Sequence, residues 1–260
     1  MPVSGGIAYD DEGGGRALLL FHAFPLARWT WDAQARALSP TFRVVRTDAR
    51  GFGESAPGGP VLDMDTIADD GVRILDHLGI DRAVVGGCSM GGYAAFSFAR
   101  RHPGRLAGLY LQDTKAAPDT DEARAGRRAL AARVLADGAA AAADALLPKL
   151  VGETTRRGRT DVVARVREGI LAARPGAIAA ALAGLGARED SRPTLGGIRV
   201  PTLVLVGEED AIAPPAEAEA MAAAIADARV VRVPGAGHLA NLEAPAAVNA
   251  ALAAFLDLIG

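Results

Sequence analysis

Short apolar runs alternate along the chain with longer stretches whose apolar positions recur every three or four residues. The runs are Ala17–His22, Phe42–Asp48, Ala83–Cys88, Leu106–Asp113, Thr202–Gly207 and Val230–Val233. Most are continuous rather than alternating, which suits strands buried on both faces of a mainly parallel sheet. A segment around Gly6–Asp10 is expected to add an edge strand. Ile67, Gly71, Ile74, Leu75 and Leu78 share one helical face, with Asp63 or Asp65 as N-cap and Gly79 as stop. Val248, Leu252, Phe255, Leu256 and Ile259 form a second such stripe. This alternation predicts an α/β fold, a doubly wound and mainly parallel sheet, with ligands beyond the carboxyl ends of its strands.

The rhythm breaks between Thr114 and Gly197, where alanine- and arginine-rich helical stretches are punctuated by Pro148, Gly158, Pro175 and Gly186. The expected organisation is a core of residues 1–113 and 198–260, with residues 114–197 inserted as a helical cap over the strand ends.

Composition narrows the field. At 260 residues, half of them apolar, the chain is long enough for a substantial core and too apolar for global disorder. The net charge of −3 is scattered, which argues against a nucleic-acid groove. No apolar run approaches membrane-spanning length. Met1–Asp10 lacks the basic start and apolar core of a secretory signal. A single cysteine, Cys88, excludes an intrachain disulfide and a cysteine metal cluster. A cytoplasmic protein with no membrane or nucleic-acid partner is therefore expected; its oligomeric state is left open.

The candidate chemistry begins at Gly87-Cys88-Ser89-Met90-Gly91-Gly92. A strand precedes it and a helical stretch, Tyr93 to Arg101, follows, so G-x-S-x-G stands at a sharp strand-to-helix turn. Such a turn lifts the Ser89 hydroxyl clear of the sheet, beside the positive end of a helix. Cys88 is out of register as a nucleophile, because a cysteine elbow would want glycine where Met90 stands. A serine needs a base. His238 lies in a glycine-rich loop just after a strand, whereas His77 and His102 sit on or at the end of helices. The base in turn needs a carboxylate. Asp210, in Gly207-Glu208-Glu209-Asp210, and Asp113, at the end of Leu106–Asp113, both stand at carboxyl edges. Glu208 and Glu209 read as solvated loop charges.

The order Ser89, Asp210, His238 resembles that of the α/β-hydrolase family, and the resemblance runs from about Gly6 to the end. His22-Ala23-Phe24-Pro25 looks like the family's H-G-x-P turn, with Ala23 in place of the glycine. By this resemblance the backbone N–H groups of Phe24 and Met90 form the oxyanion hole, and His22 is structural. Asp48-Ala49-Arg50-Gly51-Phe52-Gly53-Glu54-Ser55 is similar to a structural segment, D-x-R-G-x-G-x-S, that ties neighbouring loops. The run His238 to Pro245 is similar to the one after the family's catalytic histidine.

Serine rather than aspartate at the elbow argues against epoxide-hydrolase and dehalogenase chemistry. The pattern looks closest to the 3-oxoadipate enol-lactonase, small carboxylesterase and perhydrolase branch. The resemblance implies a serine hydrolase of a small ester or lactone that needs no metal or organic cofactor. Carbon–carbon bond hydrolysis, thioester hydrolysis and perhydrolysis remain alternatives on the same triad, and a non-catalytic ligand-binding relative is the alternative of another class. Trp29 is a candidate pocket residue. Arg124, Arg127, Arg128 and Arg133 read more readily as a solvated helix face than as a carboxylate site.

Overall fold

A computed structural model describes residues 3–259. The strands are β1 (Val3–Ser4), β2 (Ile7–Glu12), β3 (Ala17–Phe21), β4 (Arg43–Thr47), β5 (Ala83–Cys88), β6 (Leu106–Gln112), β7 (Thr202–Gly207) and β8 (Ala228–Val233). They form one sheet in the order β1-β2-β4-β3-β5-β6-β7-β8. From β4 to β8 every neighbouring pair is parallel, while β1 and β2 pair antiparallel. The central strands β3, β5 and β7 are buried throughout, as their unbroken apolar runs require. The segment expected at the edge is the inner strand of a hairpin. Gly5 and Gly6 both take positive φ, 57° and 82°, and turn β1 back onto it.

Three strands stop one residue short of their apolar runs. His22, Asp48 and Asp113 leave the ladder and carry their side chains into loop hydrogen bonds.

The helices flanking the sheet include α1 (Asp32–Leu38), α2 (Met64–His77) and α3 (Met90–Arg101). Asp63 caps α2, accepting from Thr66 N at 2.6 Å, and its buried face carries Ile67, Gly71, Ile74 and Leu75. Gly71 is packed under the Phe21 ring, leaving no room for a Cβ.

Between β6 and β7 come α4 (Asp121–Asp137), α5 (Ala139–Leu150), α6 (Glu153–Gly158), α7 (Thr160–Leu171) and α8 (Pro175–Ala187). Their contacts reach the loops at the carboxyl ends of the strands. Gly51 meets Ala177, Leu62 N donates to Ala180 O at 3.0 Å, and Gly152 abuts Glu209 and Gly237. The chain then passes through α9 (Arg192–Leu195), α10 (Pro215–Ala224) and α11 (Ala240–Glu243). It ends on α12 (Pro245–Leu258), which buries Val248, Leu252, Phe255 and Leu256. Among the described residues no single helix is long and apolar enough to cross a membrane.

Candidate active site

The chain leaves β3 for β4 on one side and returns to β5 on the other, so the sheet's direction of winding switches between β3 and β5. Sites in such sheets form at that switch, beyond the carboxyl ends. Ser89 stands there. Its φ of 54° lies in the left-handed region, a strained setting for a residue with a side chain. Close packing enforces the turn. A Cβ on Gly87 would stand 2.5 Å from the Phe21 carbonyl oxygen, and one on Gly91 would collide with that same oxygen. Only glycine lets strand, turn and helix meet there.

Ser89 Oγ lies 2.7 Å from His238 Nε2, and His238 Nδ1 lies 2.8 Å from Asp210 Oδ2. A carboxylate only accepts, so Nδ1 carries the proton and Nε2 is left to accept from the serine hydroxyl. The other Asp210 oxygen accepts from Ile212 N at 2.8 Å and Ala213 N at 2.9 Å. Burial opposes the charged form of His238, but the charge and hydrogen bond of Asp210 outweigh it, with Asp113 and Glu243 adding to the effect. The net result holds the imidazole above its ordinary 6.5.

Asp113 does not join this chain. Its carboxylate accepts from Gly207 N at 2.8 Å, Ala240 N at 3.0 Å and Gln112 Nε2 at 2.9 Å. It ties the end of β7 to the residues after His238, and no hydrogen bond links it to the imidazole. Burial and the neighbouring Asp210 charge push it up to about 7, against the pull of His238 and two backbone N–H groups. Cys88 points away from Ser89, toward the His238 carbonyl oxygen at 3.4 Å. Burial, with Asp113 and Asp210 nearby, drives its thiol well above the usual range.

Phe24 lies in the turn after β3, and Met90 is the first residue of α3. Met90 opens α3, so its N–H has no acceptor within the helix. Among the described residues the Phe24 N–H donates to no protein oxygen. Ala23 is not among the positive-φ residues, so alanine serves there as well as glycine. The His22 ring is spent on Ala23 O at 2.9 Å and Ala49 N at 3.0 Å.

Trp29 packs on Gly169 with the Arg165 guanidinium 4.6 Å above its ring, and lines a cleft with Asp32 and Arg159. Another expectation needs correction. Glu209 is no free loop charge, since it accepts from Thr154 N at 2.8 Å. Arg127 pairs with Asp119, while Arg128 and Arg133 are exposed. Sequence reasoning assigned Glu243 no role. The structure buries its carboxylate, which accepts from Gly237 N at 3.0 Å, Leu239 N at 3.1 Å and Gly152 N at 2.8 Å. Its place five residues after His238, before Pro245, was the available signal.

Comparison with known proteins agrees with the geometry. A family model described as the alpha/beta hydrolase fold matches residues 16–245. A thermophilic esterase from Thermogutta terrifontis is 45% identical, with a TM-score of 0.95 over 97% of this chain and 93% of its own. The enol-lactonase from Burkholderia xenovorans LB400 is 32% identical, with a TM-score of 0.89 over 96% of each chain. A pimeloyl-[acyl-carrier protein] methyl ester esterase from Aromatoleum aromaticum is 31% identical over 88% of this chain and 93% of its own. With its switch-point serine, its sheet order and these matches, the chain belongs to the α/β-hydrolase fold family.

Proposed function

We propose that the protein is a serine hydrolase that cleaves a small carboxylic ester or lactone through an acyl-enzyme. The observation that carries the reading is the unbroken hydrogen-bond chain from Ser89 Oγ through His238 to Asp210. Ser89 attacks the carbonyl carbon while His238 Nε2 takes its proton. The tetrahedral oxyanion accepts from Phe24 N–H and Met90 N–H, donors fixed before the charge develops. His238 then protonates the departing alkoxide, or the enolate or alkoxide end of an opened lactone. Water repeats the cycle, giving its proton to His238 and releasing the carboxylic acid and Ser89. Helices α4–α8 act as a cap over the strand ends and shape what reaches the serine. The esterase and enol-lactonase relatives favour ester or lactone over the other chemistries this triad performs.

The test is turnover of p-nitrophenyl esters from acetate to octanoate and of a small lactone, with fluorophosphonate labelling read by mass spectrometry. We expect turnover of at least one, a single adduct on Ser89, and loss of both in Ser89→Ala with unchanged melting. Turnover that persists in that variant overturns the assignment.

A further inference from the structure

Beside the triad runs a chain of buried polar side chains that the proposed reaction steps leave unused. Gln112, the last residue of β6, is buried, as are Tyr110, Asp113 and Asn241. Asn241 Nδ2 donates to the Thr30 carbonyl oxygen at 2.8 Å, in the segment that follows the Phe24 turn. Asn241 Oδ1 accepts from Gln112 Nε2 at 2.9 Å. Gln112 Nε2 also donates to Asp113 Oδ2 at 2.9 Å, and Gln112 Oε1 accepts from the Tyr110 hydroxyl at 2.5 Å.

One fixed group sets the direction of these bonds. A backbone carbonyl oxygen only accepts, so Asn241 must turn its NH2 to Thr30 and its oxygen to Gln112. Gln112 must then spend one N–H on Asn241 and the other on Asp113, which leaves its oxygen for Tyr110. Turned over, the Gln112 amide would set its oxygen against two buried acceptors, an arrangement that costs more than a lost bond.

Asp113 therefore meets donors. Gly207 N, Ala240 N and Gln112 Nε2 all point at its two oxygens, and donors favour the charged carboxylate. Gly207 leads into the Asp210 loop and Ala240 follows His238 by two residues, so the charge is held between the two loops. The titratable groups around it are Cys88 on β5, Tyr110 on β6, Asp210 after β7, and His238 and Glu243 after β8. Burial and Asp210 oppose the Asp113 charge, while His238 and the backbone donors favour it. In return the Asp113 charge favours the protonated imidazole, behind the larger effect of Asp210.

Resting on the serine-hydrolase reading, we propose that Gln112 is a positioning residue. Aimed by Asn241, its amide holds Asp113 as an anion, and this second carboxylate stabilises the His238 imidazolium through space while Asp210 does so by contact. The test follows the His238 imidazole by NMR across pH in the resting protein, its signal assigned by its loss in His238→Gln. That arm needs no substrate, so its failure is distinct from a failure of the ester assignment. A second arm measures kcat and KM on the p-nitrophenyl ester that the wild type turns over.

Asp113→Asn and Gln112→Met should each move the His238 titration to lower pH and reduce kcat several-fold, with KM little changed. The double variant should titrate where Asp113→Asn does, because Gln112 acts through that one charge. Tyr110→Phe removes a bond of the same chain without touching Asp113; it should lower the melting temperature and leave the titration in place. Melting curves show which variants fold. An unmoved titration in Asp113→Asn, which keeps the side chain's shape, overturns the proposal whether or not Gln112→Met folds. So does an unmoved titration in folded Gln112→Met, an additive shift in the double variant, or an equal shift in Tyr110→Phe.

Discussion

Replacing Asp210 by asparagine tests the proposed triad at one atom. Asp210 uses one oxygen for the N–H groups of Ile212 and Ala213 and the other for His238 Nδ1. An asparagine has one acceptor and one donor end. The two backbone N–H groups claim the acceptor, so the side-chain NH2 turns toward His238. Nδ1 must then accept, which moves the ring proton to Nε2 and leaves nothing to take the proton of Ser89. Aspartate-to-asparagine changes with this outcome cost about 10⁴ in kcat, or about 5.5 kcal/mol at 1.36 kcal/mol per factor of ten. Asp113→Asn removes a carboxylate that contacts backbone and Gln112 but not the imidazole. Its expected loss in kcat is about tenfold or less, alongside a lower melting temperature, since at least one buried N–H loses its acceptor. The assay is kcat and kcat/KM on the best p-nitrophenyl ester for both variants, with melting curves alongside. Equal losses in the two variants, or an Asp210→Asn enzyme within tenfold of wild type, would refute the tautomer argument.

Four further outcomes follow from the geometry. The base must be neutral, so kcat/KM should rise with pH through an inflection above 6.5, where the fold raises His238; an inflection at or below 6.5 would contradict the Asp210 contact. The same shift favours imidazolium in the folded state, so its contribution to stability is complete below 6.5 and is lost as pH rises through the higher native value. Gly91→Ala should lower stability by about 1–3 kcal/mol in denaturant melts, because its methyl meets the Phe21 carbonyl; an unchanged midpoint would mean the elbow is looser than described. Cys88, buried and held as a neutral thiol, should resist iodoacetamide in the native protein at neutral pH, read by mass spectrometry; rapid alkylation would show an open path behind the site.

Much of this was legible because the chain states it locally. The runs of β3, β5 and β7 are apolar on both faces, and no other element absorbs such runs at that length. The elbow was readable because steric crowding at Gly87 and Gly91 admits one residue type. The acid was less locally legible: Asp113 and Asp210 both follow buried strands, the order Ser89, Asp210, His238 favoured Asp210, and the fold sets that residue against Nδ1. The β1–β2 hairpin was missed although Gly5-Gly6 marks its turn, since two residues of β1 are too few for a pattern. The surroundings of Trp29 were not legible locally, because they are supplied by α7, far along the chain.

Glu243 makes the helical segment and the base-bearing loop mechanically continuous. One carboxylate clasps the backbone on both sides of His238 and, with its second oxygen, the Gly152 amide that leads into α6. Exchanging residues 114–197 for the equivalent stretch of a relative would thus swap more than a substrate filter. It would also replace one of the three anchors that set the tilt of the imidazole. A chimera whose new segment lacks an amide at that point would carry its defect at Ser89, however well the foreign helices folded.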